Sequence, residues 1–460
     1  MVDLKSYLIE LVSKCEKIVP YASALHKQKS GDRIQVNPYQ ESIEPEESSQ
    51  GLVINLWNGQ SFFEYASNSS DLSFIEKEVL QYAKYTLTQI NPALAKSEID
   101  PGPKTQKDFI NQTDFQEELS LQQKLNIAKE RVKLAQGLDS QVVNVISIVG
   151  ESKSSDIFVN RHKQMSQQIK RSDSILVVFV SDGKNTADIH GGLSKNGGFD
   201  KVQINDEEIK LWVEDAKKLL SAPRIKPGLY DVVTDPEWSG IIAHECFGHG
   251  METDLYTRER ALSQHYLGKP VASEIVNMFD DPSIIEEAGG FYFDDEGALS
   301  GPTHIIKNGI LQRGLSDLAS AHKLKITRSA NGRRESFSRK AYARMTNTFF
   351  ANGKTPKEEM IASVEQGIYL KHATNGMEDP QAWGIQVEGL WAQEIKNGKL
   401  TNNVYSPVIM TGFVPELLQS ISMVGNDRFI SGLGMCGKGH KEWVKNTTGG
   451  PHLKMKARLA

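Results

Sequence analysis

Cysteine is scarce in this chain. Its 460 residues hold three, Cys15, Cys246 and Cys436, too few and too scattered for a disulfide framework. The expectation is a reducing, cytoplasmic compartment. Long apolar runs are missing as well: the strongest, ILVVFV at 175–180, falls far short of the roughly 20 residues that span a bilayer. Asp3, Lys5 and Glu10 interrupt the first helical pattern, which argues against a signal peptide. A net charge of only −5 predicts neither a nucleic-acid footprint nor a membrane-surface one.

The remaining composition, 39% hydrophobic and 24% charged, is that of a globular protein. The length suits about three domains. Residues 1–105 read as an N-terminal α/β unit. It contains a strand at GLVINLWNG, a helix opening on Asp71, and an acidic stretch, YQESIEPEESSQG, expected as a solvated loop. NPALAKSEIDPGPKTQ has the composition of a linker. Residues 106–225 read as a central unit, opened by a Ser120/Gln123 capping box before a helical apolar period. VVNVISIVGE and SILVVFVSDG follow as buried strands, then the glycine-rich DGKNTADIHGGLSKNGGFD as a mobile loop, and then a helix burying Ile209, Val213 and Ala216. Residues 226–460 read as a large β-rich unit, with Lys-Asn-Gly steps at 307–309 and 396–398 as tight hairpin turns. The fold class predicted is α+β, multi-domain.

The densest chemistry lies in HECFGHGMETD, residues 244–254. A helix capped by Asp235, with Pro236 in its first turn, should run into it, placing Trp238, Ile242, Glu245 and His249 on one stripe. His244 and His249 are five residues apart, so a regular helix points them roughly 140° apart. One metal takes both only through a π-type turn or a helix that ends between them, and Gly248 and Gly250 make unwinding cheap. Either histidine alone also fits a hydrogen-bonded core residue. Two histidines do not complete a site, since catalytic zinc usually takes three protein ligands. Near the C-terminus, GLGMCGKGHKEW frames Cys436 with glycines. That thiol suits a packed core position or a metal ligand, and Lys438 in a glycine nest suits an anion.

Taken together, HECFGHGMETD, FDDEG at 293–297, RRESFSRKAYARMTNT at 333–348 and GMCGKGH resemble the TldD/PmbA family, once described as modulators of DNA gyrase. The likeness is close over the C-terminal half and compatible across the rest. It implies a zinc metallopeptidase acting on unfolded or short peptides inside a dimer cavity. It also implies pairing with a copy of itself or with a PmbA (TldE) subunit that lacks the motif. Carried over by position, His244, His249 and Cys436 are zinc ligands and Glu245 the general base. Two positions depart from the family: His440 stands where glutamine is usual, and Cys246 where alanine is common. His440 therefore leaves an alternative or additional ligand open. Glu252 and Asp254 match the family and suit either orientation of the ligating histidines or simple exposure. Arg333, Arg334 and Arg344 suit either a peptide carboxylate or a solvated face. The competing reading is a non-catalytic modulator or binding protein whose metal is structural, with His440 as fourth ligand.

Overall fold

The computed structural model describes residues 3–110, 118–438 and 441–460. Mixed α+β structure runs throughout. Among the described residues, no helix is long and apolar enough to cross a membrane.

The first half is built on one seven-stranded sheet in the order Phe62–Ser67, Glu41–Trp57, Tyr21–Val36, Val142–Asn160, Lys163–Ser181 and Thr105–Ile110, with Thr186–Asn196 also pairing Lys163–Ser181. Strands from both sides of residue 105 share it. The helices Leu4–Glu16 and Leu72–Thr88 bury Leu8, Leu11, Ile75 and Val79 on one half of a face, against Ala22, Ala24 and Ile54. Leu121–Leu138 and Asp206–Leu219 cover the other half, against Ile34, Val149 and Val178. Alternation sends Leu25, Val53 and Phe158 to the opposite face, where Phe293 of the C-terminal half packs on them. The capping box at Ser120 and Gln123 is formed as the sequence predicts.

Two predicted loops are strands instead. The acidic stretch lies inside Glu41–Trp57, whose register with Tyr21–Val36 runs from Trp57 back to Glu41. Glu41 and Glu44 are exposed on it, so polarity there marks a solvated strand. The glycine-rich stretch contains Thr186–Asn196, paired residue by residue with Lys163–Ser181. Its glycines serve close approach: a Cβ on Gly191 would stand 2.2 Å from the Trp212 ring, and one on Gly192 2.0 Å from the Ser174 carbonyl oxygen.

In the C-terminal half, Gln366–Asp379, Gly228–Thr234, Leu453–Leu459, Val408–Phe413 and Gly384–Lys396 follow one another in a sheet that closes because Gln366–Asp379 also pairs Gly384–Lys396. Both Lys-Asn-Gly steps are hairpin turns, with positive φ at Asn308 and Gly309 and at Asn397 and Gly398. A smaller six-stranded sheet includes Asn347–Phe350 beside Thr447–Gly450. The helix Pro236–Phe247 lies between the two sheets, buried all round rather than along one stripe. Its Trp238, Ile242 and Phe247 join a core with Val387, Met410 and Met455.

Candidate metal centre

Asp235 caps the helix Pro236–Phe247, accepting from the Trp238 N–H at 2.9 Å. The helix ends at Phe247, and His249 opens a separate 3-10 turn, His249–Met251. The five-residue spacing is thus resolved by termination between the histidines. The stripe predicted to continue to His249 stops at Glu245. The helix does end at Gly248, its C-terminal cap, and both glycines also give clearance. A Cβ on Gly248 would lie 2.0 Å from the Met345 Sδ, and one on Gly250 2.5 Å from a Glu378 carboxylate oxygen.

The two imidazoles stand edge to face with centroids 5.0 Å apart. Cys436, on the strand Met435–Lys438, brings its Sγ to 3.3 Å from His249 Nε2. Ligand atoms of His244, His249 and Cys436 all lie within 4.8 Å of one another. Burial opposes a charged thiolate, yet the two imidazoles facing Cys436 hold it well below the usual thiol range. Burial likewise opposes a charged His249, and the Cys436 sulfur and Glu252 carboxylate hold it well above the usual histidine range. Two imidazoles and a thiolate are a donor set that suits zinc.

A ring of partners grips this trio. Glu252 is 1% exposed and accepts from Lys438 Nζ at 2.8 Å and Arg344 Nε at 3.3 Å, with His249 Nδ1 at 3.5 Å. Burial opposes its charge, but Lys438, His249 and Arg344 hold its carboxyl far below the usual range. Arg344, wholly buried, donates to the Cys436 carbonyl at 2.7 Å and reaches its Sγ at 3.1 Å. Lys438 also donates to Asp254 at 2.7 Å, so it is neutralised by two carboxylates and is no anion nest. Burial pushes Asp254 up to about 6 against the pull of Lys438. Glu252 and Asp254 are both buried, which removes simple surface exposure as their account.

Glu245 follows His244 on the helix, and its Cγ lies 2.6 Å from where a Cβ on Gly376 would stand. Cys246 packs in the core as a free thiol. Arg333 donates to the Met345 carbonyl at 2.6 Å and the Lys445 carbonyl at 2.7 Å, and Arg334 pairs with Glu64 at 2.8 Å. With Arg344 they form internal braces rather than a solvated face. His440 lies outside the described residues.

Sequence reasoning missed Asn446, whose Nδ2 is 3.0 Å from His244 Nδ1, and Glu378, which accepts the Gly250 N–H at 2.9 Å. Burial pushes Glu378 well above the usual carboxylate range. No local pattern announces either residue, because Glu378 comes from the strand Gln366–Asp379 and Asn446 from the junction between Lys441–Lys445 and Thr447–Gly450, both far from the helix in sequence.

The profile of the PmbA/TldA metallopeptidase C-terminal domain matches residues 227–458, just over half the chain and all of the trio. The chain belongs to the TldD/PmbA family. It is 29% identical over 405 residues to the metalloprotease TldD homolog of Buchnera aphidicola, covering 85% of this chain and 82% of that one. It is 31% identical over 325 residues to a metalloprotease of Methanothermobacter thermautotrophicus, covering 70% of each. Among solved structures, TldE of Thermococcus kodakarensis superposes with a TM-score of 0.76 at 18% identity, covering 99% of this chain and 100% of that one. At that identity the likeness is one of fold.

Proposed function

We propose that this TldD/PmbA-family chain is a zinc-dependent peptidase acting on unfolded or short peptides, with His244, His249 and Cys436 as ligands. The observation that carries the reading is the convergence of those three side chains within 4.8 Å, in a chain whose relatives are named metalloproteases. Among the described residues the donors number three, the count of a catalytic zinc; a structural one is usually closed by four. Bound zinc supplies Lewis-acid polarisation of a scissile carbonyl and a lowered pKa for its water.

The chain's own residues supply the rest. Glu245 is the base in this reading, supported by its position directly after His244 on the helix and by its packing against Gly376. Gly376 belongs to Gln366–Asp379, which Gly228–Thr234 pairs only from Gly367 to Leu370. Beyond that point, among the described residues, the strand has no ladder partner on that edge. An extended peptide added there binds through its main chain and passes Glu245, giving sequence-tolerant recognition that a folded protein cannot satisfy. Docking of a second copy or of a PmbA/TldE-type subunit encloses the site. Free cysteines at all three positions support a cytoplasmic location.

Glu245→Gln is the test, because it keeps shape and removes basicity. Turnover of an unfolded peptide should fall about a hundredfold or more, with zinc content and fold unchanged. Wild-type turnover at full zinc content would eliminate Glu245 as the base. Loss of zinc would instead make it a ligand.

A further inference from the structure

We infer that Asn446 is a positioning residue for the metal centre: its side-chain carbonyl accepts the Nδ1–H of His244 and so presents the Nε2 lone pair to the metal. This rests on the metal reading above and concerns one ligand's proton.

A neutral imidazole carries one N–H, and a ring that coordinates through one nitrogen keeps its proton on the other. His244 Nδ1 faces Asn446 at 3.0 Å, which leaves Nε2 as the nitrogen for a metal. Nδ1 must then be a donor, and a donor buried here needs an acceptor. With the Asn446 amide oriented so that Nδ2 meets Nδ1, two donors would oppose each other. In that same orientation the Asn446 Oδ1 is buried with no hydrogen-bond partner among the described residues. Turning the amide over brings Oδ1 onto Nδ1–H and gives this oxygen a partner. Metal occupancy and amide orientation are therefore linked: the carbonyl faces His244 when Nε2 coordinates, and the amide faces it when Nε2 holds the proton.

The backbone is built to hold Asn446 in place. It is 2% exposed and sits between Lys441–Lys445, which pairs the Cys436 strand, and Thr447–Gly450, which runs parallel to Asn347–Phe350. The next residue, Thr447, donates its N–H to the Thr346 carbonyl at 2.9 Å. Gly434 leaves space around the amide, since a Cβ there would stand 3.2 Å from Oδ1. Asn446 thereby completes a set in which every ligand has its own holder. His249 faces Glu252, Cys436 is held by Arg344, and His244 is held by Asn446.

Two substitutions separate this role from packing. Asn446→Leu keeps the volume and removes the acceptor, whereas Asn446→Asp keeps an acceptor on the same stem. Zinc dissociation constants are measured by chelator competition on the full chain, with thermal melting in chelator to compare the metal-free folds. Imidazole nitrogen shifts of the zinc-loaded protein report which ring nitrogen carries the proton. The expected result is zinc binding about 10- to 100-fold weaker in Asn446→Leu, wild-type strength or tighter in Asn446→Asp, and a His244 ring protonated at Nδ1. Wild-type affinity in Asn446→Leu, equal weakening in both variants, or a His244 protonated at Nε2 would each overturn this inference alone. A wild-type protein that binds no zinc would overturn the metal reading beneath it.

Discussion

Gly240 and Gly449 meet backbone to backbone. A Cβ on Gly240 would stand 2.7 Å from the Gly449 nitrogen and 3.0 Å from its Cα. Gly240 lies one helical turn before His244, and Gly449 lies shortly after Asn446 on the neighbouring strand. Their contact therefore sets how closely the ligand-bearing helix approaches the strand that steadies its first histidine.

Gly240→Ala tests that spacing. Alanine favours a helix by about 1 kcal/mol over glycine, but an added methyl against rigid backbone costs about 1–3 kcal/mol. The second effect wins where neither partner can swing aside. The variant should melt lower, and its zinc affinity should fall because the helix carries His244 away from Asn446 and Cys436. Calorimetry and chelator competition read the two effects. An unchanged or raised melting temperature would show that the helix is not held by this contact.

Asp254 gives a prediction about pH. Lys438 holds one carboxylate oxygen, and the other is buried without a hydrogen-bond partner among the described residues. Burial raises its pKa from 3.8 to about 6. The folded protein therefore binds this proton more tightly than the unfolded chain does. Its contribution is most favourable below pH 3.8 and is lost as pH rises through about 6. Asp254→Asn removes the ionisation. The stability difference, variant minus wild type, should rise between pH 4 and 7 by on the order of 2 kcal/mol. Urea midpoints across that range measure it, and a difference that stays flat with pH contradicts the assignment.

How far the site could be read in advance divides along physical lines. Features fixed by a few neighbouring residues were legible: the Asp235 cap, the capping box at Ser120 and the positive-φ turns at Asn308 and Asn397. So was the convergence of Cys436 on the histidine pair, through the resemblance of whole motifs. Two strands have the composition of loops. Glu41–Trp57 and Thr186–Asn196 are held by hairpin ladders to the strands just before them, and such pairing overrides local polarity and glycine content. The braces were illegible for a different cause, their range. Arg344 lies 92 residues from both Glu252 and Cys436, and Asn446 lies 202 from His244, so no spacing rule relates them. The clearance that Gly248 and Gly250 also give depends on Met345 and Glu378 arriving from other elements.

Cys436 and His440 decide between a peptidase and a modulator with a structural metal. Cys436 Sγ lies 3.3 Å from His249 Nε2 and is held by Arg344. Its replacement by alanine removes a donor that the rest of the trio cannot supply. Elemental analysis of Cys436→Ala should therefore show zinc largely lost, and undiminished zinc would take the thiol out of the ligand set. His440→Ala separates the two functions. A closed structural site relies on four protein ligands, and removing one weakens both metal and fold. A catalytic site with three keeps its zinc without His440 and retains peptide turnover within a few-fold. The expected outcome is zinc content and melting temperature close to wild type in His440→Ala, against near-complete loss of zinc in Cys436→Ala. Equal loss of zinc in both variants, with no turnover of an unfolded peptide by the wild type alone or with a PmbA/TldE-type subunit, would favour the structural metal.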